Sequence, residues 1–353
     1  MAMNRSFWQG RRVLLTGHTG FKGGWLSLWL ADMGARVHGY AMTPPTEPSF
    51  FTVTRLVDRL ASHTTADVRD ADTLVRAIQQ TEPEVIFHLA AQPLVRHSYV
   101  APVETFAVNV MGTVHLLEAV RATPSVRAVV NITSDKCYEN REWPWPYREN
   151  EAMGGFDPYS SSKGCAELIS AAYRRSFLHG RGAHLATARA GNVIGGGDWA
   201  NDRLLPDFFR ALNAAEPLRI RSPRAVRPWQ HVLEPLAGYL QLAENLYSDG
   251  EPYAEGWNFG PFETDAQPVS WIVDRLCELM PGARWERDRA EQPHEAHTLR
   301  LDSSKARIKL GWQPRWDLLT ALTQTVKWHR AWQGDADMAA FSLEQIRQYT
   351  DAA

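Results

Sequence analysis

The chain is poor in cysteine, in net charge and in long apolar runs, and each shortage excludes a class of protein. Cysteine occurs three times in 353 residues, at Cys137, Cys165 and Cys277, never as a CxxC pair. A count that sparse and odd argues against a disulfide framework and suits reduced thiols in a cytoplasm. The formal charge is −2, so no global field draws in nucleic acid or an anionic membrane. There is no run of 18 apolar residues, and the opening MAMNRSFWQGRR lacks the apolar core of a signal peptide. The sequence therefore predicts a cytoplasmic protein with neither a nucleic-acid nor a membrane partner. Repeats and low-complexity tracts are missing too. What remains, 44% hydrophobic and 22% charged residues, is ordinary for a globular protein of enzyme size, and the length predicts about two domains.

The chain is organised around RVLLTGHTGFKGGW, residues 12–25. Val13-Leu14-Leu15 reads as a buried strand that runs into Gly17, Gly20 and Gly23 and then into the helical pattern from Trp25 to Leu30. Glycine at those places allows a tight turn, a close approach to a pyrophosphate and a close helix–strand contact. The first helical turn offers free amides and the positive end of a dipole, which favour an anion. Directly after a strand, this spacing predicts a dinucleotide site.

Strand and helix patterns then alternate. Strands are predicted near 35–40, 62–66, 85–89, 128–133 and 185–188, with helices at 70–81, 102–121 and 156–177 between them. That rhythm indicates an α/β fold with a doubly wound parallel (Rossmann) sheet, ligands binding at the C-terminal ends of the strands. Beyond Arg189 the elements shorten and prolines increase. The reading is a Rossmann domain over 1–189, to which segments near 229–260 return, and a smaller substrate-binding lobe over 190–353. The last helices, near 318–332 and 342–349, read as surface packing.

One absence bears on the cofactor. The end of the second strand, Tyr40-Ala41-Met42-Thr43, has no acidic residue for an adenosine ribose and no basic one for a 2′-phosphate. This stretch does not distinguish NAD from NADP. Asp67, ending the third strand, either contacts adenine or serves as a turn residue or helix cap.

The strongest catalytic signal is Tyr159-Ser160-Ser161-Ser162-Lys163. On a helix the phenol and the ammonium share a face. An ammonium beside a phenol favours the phenolate and lowers its pKa from about 10. Such a phenolate takes a proton from an alcohol while hydride leaves. The spacing alone occurs by chance on many helices; after the glycine turn and a strand ending at Thr133, the catalytic reading outweighs chance.

TGHTGFKG together with YSSSK resembles the extended short-chain dehydrogenase/reductase superfamily, which works mainly on nucleotide sugars. The resemblance spans nearly the whole chain, with HLAAQPLV, NVMGTVHLLEA, RAGNVIG and RPWQHV as further matches. It implies bound NAD, held by Gly17, Thr19, Gly20, Phe21, Lys22 and Gly23, by Asp67 and Val68, by Leu89, Ala90 and Ala91, and by Asn109, Thr133, Tyr159 and Lys163. It implies a substrate site from Gln92, Ser134, Asn192, Arg203, Arg227 and His294, where arginine forks suit a diphosphate. A homodimer through a four-helix interface, or a dimer of dimers, is implied as well. No metal is implied: His294-Glu295-Ala296-His297 is not HExxH and no third ligand is evident.

The residues after the strand-end Ser134 separate subfamilies. Dehydratases carry an Asp-Glu pair there, acid for the C6 hydroxyl and base for the C5 proton; this chain has Asp135 followed by Lys136. A lysine at its normal pKa of about 10.4 is no base at neutral pH, so burial or a neighbouring cation has to lower it. TSDKCYEN with GHTGFKGGW is similar to the CDP-glucose 4,6-dehydratases. The resemblance then implies CDP-glucose as substrate and Ser134, Asp135, Lys136, Tyr159 and Lys163 as catalytic residues. Other nucleotide-sugar dehydratases, 4-epimerases and a non-catalytic NAD-binding regulator stay open. The loop Trp143-Pro144-Trp145-Pro146-Tyr147 reads either as a lid or as packing against the second lobe.

Overall fold

The computed structural model describes residues 4–290 and 297–352, so His294 lies outside the described residues. Strands β1 (Arg12–Thr16), β2 (Arg36–Ala41), β3 (Ser62–Thr65), β4 (Val85–His88), β5 (Ala128–Ile132) and β6 (His184–Ala190) form one parallel sheet. A seventh strand, Gly256–Phe259, adds parallel to β6. The spatial order runs from that strand through β6, β5, β4, β1 and β2 to β3. This is the doubly wound α/β arrangement, with its order reversing at β1. Thr16, the last residue of β1, lies opposite Tyr40 on one side and His88 on the other. The chain departs to different sides after β1 and β4, which opens a crevice at their C-terminal ends.

Every residue of β4 and β5 is buried, as a parallel sheet covered on both faces requires. One face carries the helices Phe21–Asp32 and Leu233–Ser248, the other the helices Ala71–Thr81 and Gly112–Arg121. Where the apolar spacing predicts one helix over 102–121, the structure has Pro102–Phe106 and Gly112–Arg121 joined by a π-helical turn, Ala107–Met111. Wider turns of this kind concentrate at functional sites, and this one carries Asn109.

A second core gathers Phe208, Ile272, Leu276 and Leu322 from the helices Leu204–Asn213, Val269–Leu279 and Leu318–Gln333. Short strand pairs complete it, Leu218–Ile220 beside Trp285–Arg287 and Val226–Pro228 beside Ala266–Pro268.

The last helices are not surface packing. Trp328, Ile346 and Tyr349 are buried in the main core, and Tyr349 meets Trp29 edge-on at 5.9 Å. The Tyr349 hydroxyl donates to Glu234 (2.8 Å), which also accepts from the Trp316 amide (2.8 Å). Burial pushes the Glu234 carboxyl up to about 7, against these donors. The partners of Tyr349 lie far upstream in sequence, so the local pattern of 342–349 does not show what its buried face meets. Among the described residues, no helix is long and apolar enough to cross a membrane.

Candidate active site

Local chemistry fixes where each candidate side chain stands. Gly17 has φ +80°, and a Cβ there would meet the Ala90 amide at 2.7 Å. A Cβ on Gly23 would lie 2.1 Å from the Gly17 carbonyl oxygen. The turn therefore lies pressed against the loop after β4, and only glycine permits it. Thr16 Oγ1 bonds His88 Nδ1 (2.7 Å) and accepts from the Ala90 amide (3.2 Å), which ties Leu89–Ala91 to the turn. Gly20 caps the helix Phe21–Asp32 without a side-chain cap and with no acidic residue in the first turn, so no carboxylate of that turn competes for its first amides. Thr19 Oγ1 donates to the Met42 carbonyl (3.0 Å).

The helix Pro158–Tyr173 begins where Asp157 accepts from the Ser160 amide (2.9 Å) and hydroxyl (2.6 Å), with Pro158 as its first residue. That start sets Tyr159, Lys163 and Glu167 one turn apart on one buried face, toward the ends of β5 and β6. Ser134, just past β5, donates to Asp135 Oδ1 (3.0 Å) and accepts from the Lys136 amide (3.2 Å). The Tyr159 hydroxyl meets that same serine.

The charges converge here. Burial raises the Asp135 carboxyl against Lys136, Ser134, Arg227 and Lys22, which all favour its charged form. Its Oδ2 is buried with no partner among the described residues, aimed at Gly191, where a Cβ would come within 3.1 Å. Lys22, from the glycine turn, faces Arg203, Asp135 and Lys163 and is pushed down to about 8, mainly by burial. Lys163 is likewise lowered to about 8 by burial, opposed by Glu167 and Cys137. Arg203 is held by Asp198 (2.9 Å).

One electrostatic expectation fails. Tyr159 is not brought toward neutrality; burial pushes it up to about 12 although Ser134 works the other way. Burial is the largest cause, and Lys163 Nζ donates to the Ile132 carbonyl (3.4 Å).

The structure thus brings together Lys22, Ser134, Asp135, Tyr159, Lys163, Arg203 and Arg227. Other candidates are otherwise engaged. Asp67 is locked by Arg69 (2.6 Å). The Gln92 side chain donates to Thr105 Oγ1 (2.9 Å) and the Leu94 carbonyl (3.1 Å), shaping its own loop. Asn109 bonds the Gln92 backbone and Ser162 Oγ (2.9 Å), joining that loop to the Tyr159 helix. Val68 packs where Gly112 leaves room. The Asn192 carbonyl accepts from the Gln230 amide (3.0 Å). The aromatic loop packs: Trp143 stacks on Trp145, Tyr147 on Tyr138, and the Tyr147 amide donates to Arg300 of the second lobe (3.0 Å).

Sequence reasoning missed Glu167, Arg189, Tyr138 and Asn258, which form a buried polar chain behind Thr133. Glu167 alone had a readable signal, its place one turn beyond Lys163.

The GDP-mannose 4,6 dehydratase family profile matches residues 14–325. The chain belongs to this family. Within the GDP-mannose 4,6 dehydratase family it is 55% identical to the CDP-glucose 4,6-dehydratase of Salmonella typhimurium, over 99% of both chains. It is 25% identical to a dTDP-glucose 4,6-dehydratase of Xanthomonas campestris pv. campestris, over 94% of this chain and 98% of that one. The fold is similar to a UDP-glucose 4-epimerase from Thermotoga maritima, with TM-score 0.78 at 22% identity, covering 91% of this chain and 99% of the other.

Proposed function

We propose that the chain is a CDP-glucose 4,6-dehydratase that works with bound NAD and releases CDP-4-keto-6-deoxyglucose for deoxysugar biosynthesis. The observation that carries this reading is the full-length identity of 55% to a relative of that name, combined with a buried acid at the end of β5. The turn fits the cofactor: its glycine cradle admits no Cβ at Gly17 or Gly23, and it offers amides with no competing carboxylate. Gly17, Thr19, Gly20, Phe21, Lys22 and Gly23 would hold the diphosphate side. Asp67, Val68, Leu89, Ala90, Ala91 and Asn109 would hold the adenosine side directly or by shaping its loops.

When bound, NAD supplies a hydride acceptor at the start of a turnover and a hydride donor at its end. The residues do the rest. Ser134 holds the sugar's C4 hydroxyl and Tyr159 takes its proton as C4 becomes a ketone. The ketone acidifies C5–H, and Lys136 removes that proton. Asp135, whose carboxyl binds its proton more readily because it is buried, would give that proton to the leaving C6 hydroxyl, and Lys136 would return a solvent-exchanged proton to C5 as C6 is reduced. Arg203, Arg227 and Asn192 hold the diphosphate, with His294 as a further contact. We read the sheet and 229–260 as carrying the cofactor and the rest of 190–353 as mainly carrying the sugar nucleotide, apart from the C-terminal helices, whose Trp328, Ile346 and Tyr349 join the main core.

Incubation with CDP-glucose in deuterated water tests the function. The product should be a 4-keto-6-deoxy sugar with deuterium at C5; an epimer formed without loss of water would sink the dehydratase reading in favour of a 4-epimerase. Lys136→Ala should still oxidise C4 yet stall before elimination. Borodeuteride trapping should then return CDP-hexose labelled at C4, with dehydration slowed roughly 10²-fold or more. Dehydration at the wild-type rate removes Lys136 from the role of base.

The assembly is read as a homodimer through the helices over 102–121 and 158–173. Val103, Phe156 and Leu168 are 82%, 78% and 61% exposed on this side of the chain, apolar area of the kind that copies bury. Light scattering at micromolar concentration should give twice or four times the chain mass; a monomer rejects this part. A cytoplasmic location suits the free thiols Cys137, Cys165 and Cys277, and recovery from a periplasmic fraction would contradict it.

A further inference from the structure

The buried Glu167–Arg189 pair joins the Tyr159 helix to β6, and the mechanism above leaves it unused. Arg189 Nη2 and Nε lie 2.7 and 2.9 Å from the Glu167 carboxylate, and both side chains are 5% exposed. Isolation from water makes such a pair costly to keep unless every lone pair is answered. Here they are. Thr133 Oγ1 donates to Glu167 Oε1 (2.5 Å) and Thr187 Oγ1 to Oε2 (2.7 Å). Arg189 Nη1 continues to the Tyr138 hydroxyl (2.7 Å), Tyr138 to Asn258 Oδ1 (2.7 Å), and Asn258 Nδ2 to the Tyr147 carbonyl (3.0 Å). One end of this chain is the residue before Ser134. The other is the aromatic loop.

We infer that Glu167 is a positioning residue for the reaction: clamped by Arg189, its carboxylate fixes the Thr133–Asp135 strand end and stands one helical turn from Lys163. The inference rests on the reading of Tyr159 and Lys163 as reaction centre. Thr133 has one hydroxyl, and Glu167 takes it. That bond sets the direction in which β5 ends, and Ser134 and Asp135 follow from it. Glu167 also lies one helical turn from Lys163, close enough for its charge to oppose the loss of the ammonium proton. The other charged or titratable groups around Lys163 are Tyr159 on its own helix, Cys137 on the turn after β5, Lys22 on the glycine turn and His88 on β4. Arg189 and Arg174 face Glu167 from β6 and the end of the helix. Cys137 supplies negative charge only as thiolate, and burial holds its thiol well above its ordinary value. Lys22 is cationic, and burial keeps His88 neutral. Glu167 is therefore the anion at hand.

The test compares kcat, KM and the pH profile of the purified holoenzyme with CDP-glucose for three variants. Glu167→Gln with Arg189→Gln removes both charges and avoids the unpaired buried arginine that the single change would leave. It should lower kcat roughly 10- to 100-fold at a nearly constant KM. It should also move the alkaline limb of kcat to lower pH by about one unit, because the Lys163 ammonium loses its supporting charge. Glu167→Asp retains the charge but retreats from Thr133, so it should lower kcat and leave the limb in place, whether or not the double variant folds. Wild-type kcat in Glu167→Asp, or an unmoved limb in a folded double variant, overturns the inference. Tyr159→Phe run beside them separates the two claims: turnover by that variant removes the reaction centre itself.

Discussion

Tyr159→Phe is expected to lower turnover of CDP-glucose by roughly 10²–10⁴-fold, the range over which positioned proton transfer contributes. The argument starts from burial. The phenol lies inside the Pro158–Tyr173 helix face, beside Ser134, and its pKa is pushed up to about 12. A phenol that high is an acid waiting for a positive charge. Lys163 is one helical turn away and the oxidised cofactor brings another charge when bound, so the phenolate gains its stability in the ternary complex. The variant keeps the ring and loses one hydroxyl contact, so its unfolding free energy should change by no more than about 1–2 kcal/mol. Steady-state turnover and thermal melting check the two halves. A melting point near wild type with turnover within tenfold of it would show that Tyr159 is not the base.

How far the sequence shows this site depends on whether a signal is local. The Gly17–Gly23 turn, the Tyr159–Lys163 spacing and the Ser134–Asp135–Lys136 strand end are each contained within eight residues, and all were legible. The sheet was legible because β4 and β5 open on apolar runs, Val85–Phe87 and Ala128–Val130, which leave few alternatives to a parallel core. What could not be read depends on partners remote in the chain. Glu167 becomes important only when β6 brings Arg189 against it, and Asn258 only when the seventh strand closes the sheet edge. Tyr349 joins the core because Trp29 and Glu234 receive it. The direction of the Tyr159 shift failed for a similar reason: spacing put Lys163 on the right face, but the burial that raises the phenol is set by the whole fold.

Asp135→Asn is expected to separate the two halves of the reaction and, at the same time, to make the protein more stable. Asp135 is buried with Oδ2 unpartnered among the described residues, and burial raises its pKa above the ordinary value. A carboxyl with a raised pKa in the folded chain favours the fold fully below its unfolded value of about 3.9, and that contribution is lost as pH rises through the folded value. To the extent that it ionises, the group therefore weakens the fold, and the amide, which does not ionise, relieves it. Thermal melting at pH 7–8 should rise in the variant, and the gain should shrink as the solution is made acidic. The same property makes Asp135 useful. A carboxyl that binds its proton more readily can hand it to the C6 oxygen as water leaves, a step an amide cannot perform. Dehydration should fall by roughly 10²-fold or more, while C4 oxidation, which the proposed mechanism assigns to Ser134 and Tyr159, continues. Borodeuteride trapping separates the outcomes, since the variant should yield C4-labelled CDP-hexose and little 6-deoxy product. A variant that melts lower than wild type and dehydrates normally would show that the carboxylate is a structural partner of Lys136 or Arg227. One that fails to oxidise C4 would assign Asp135 to the first step, as the partner that orients Ser134 through their 3.0 Å bond.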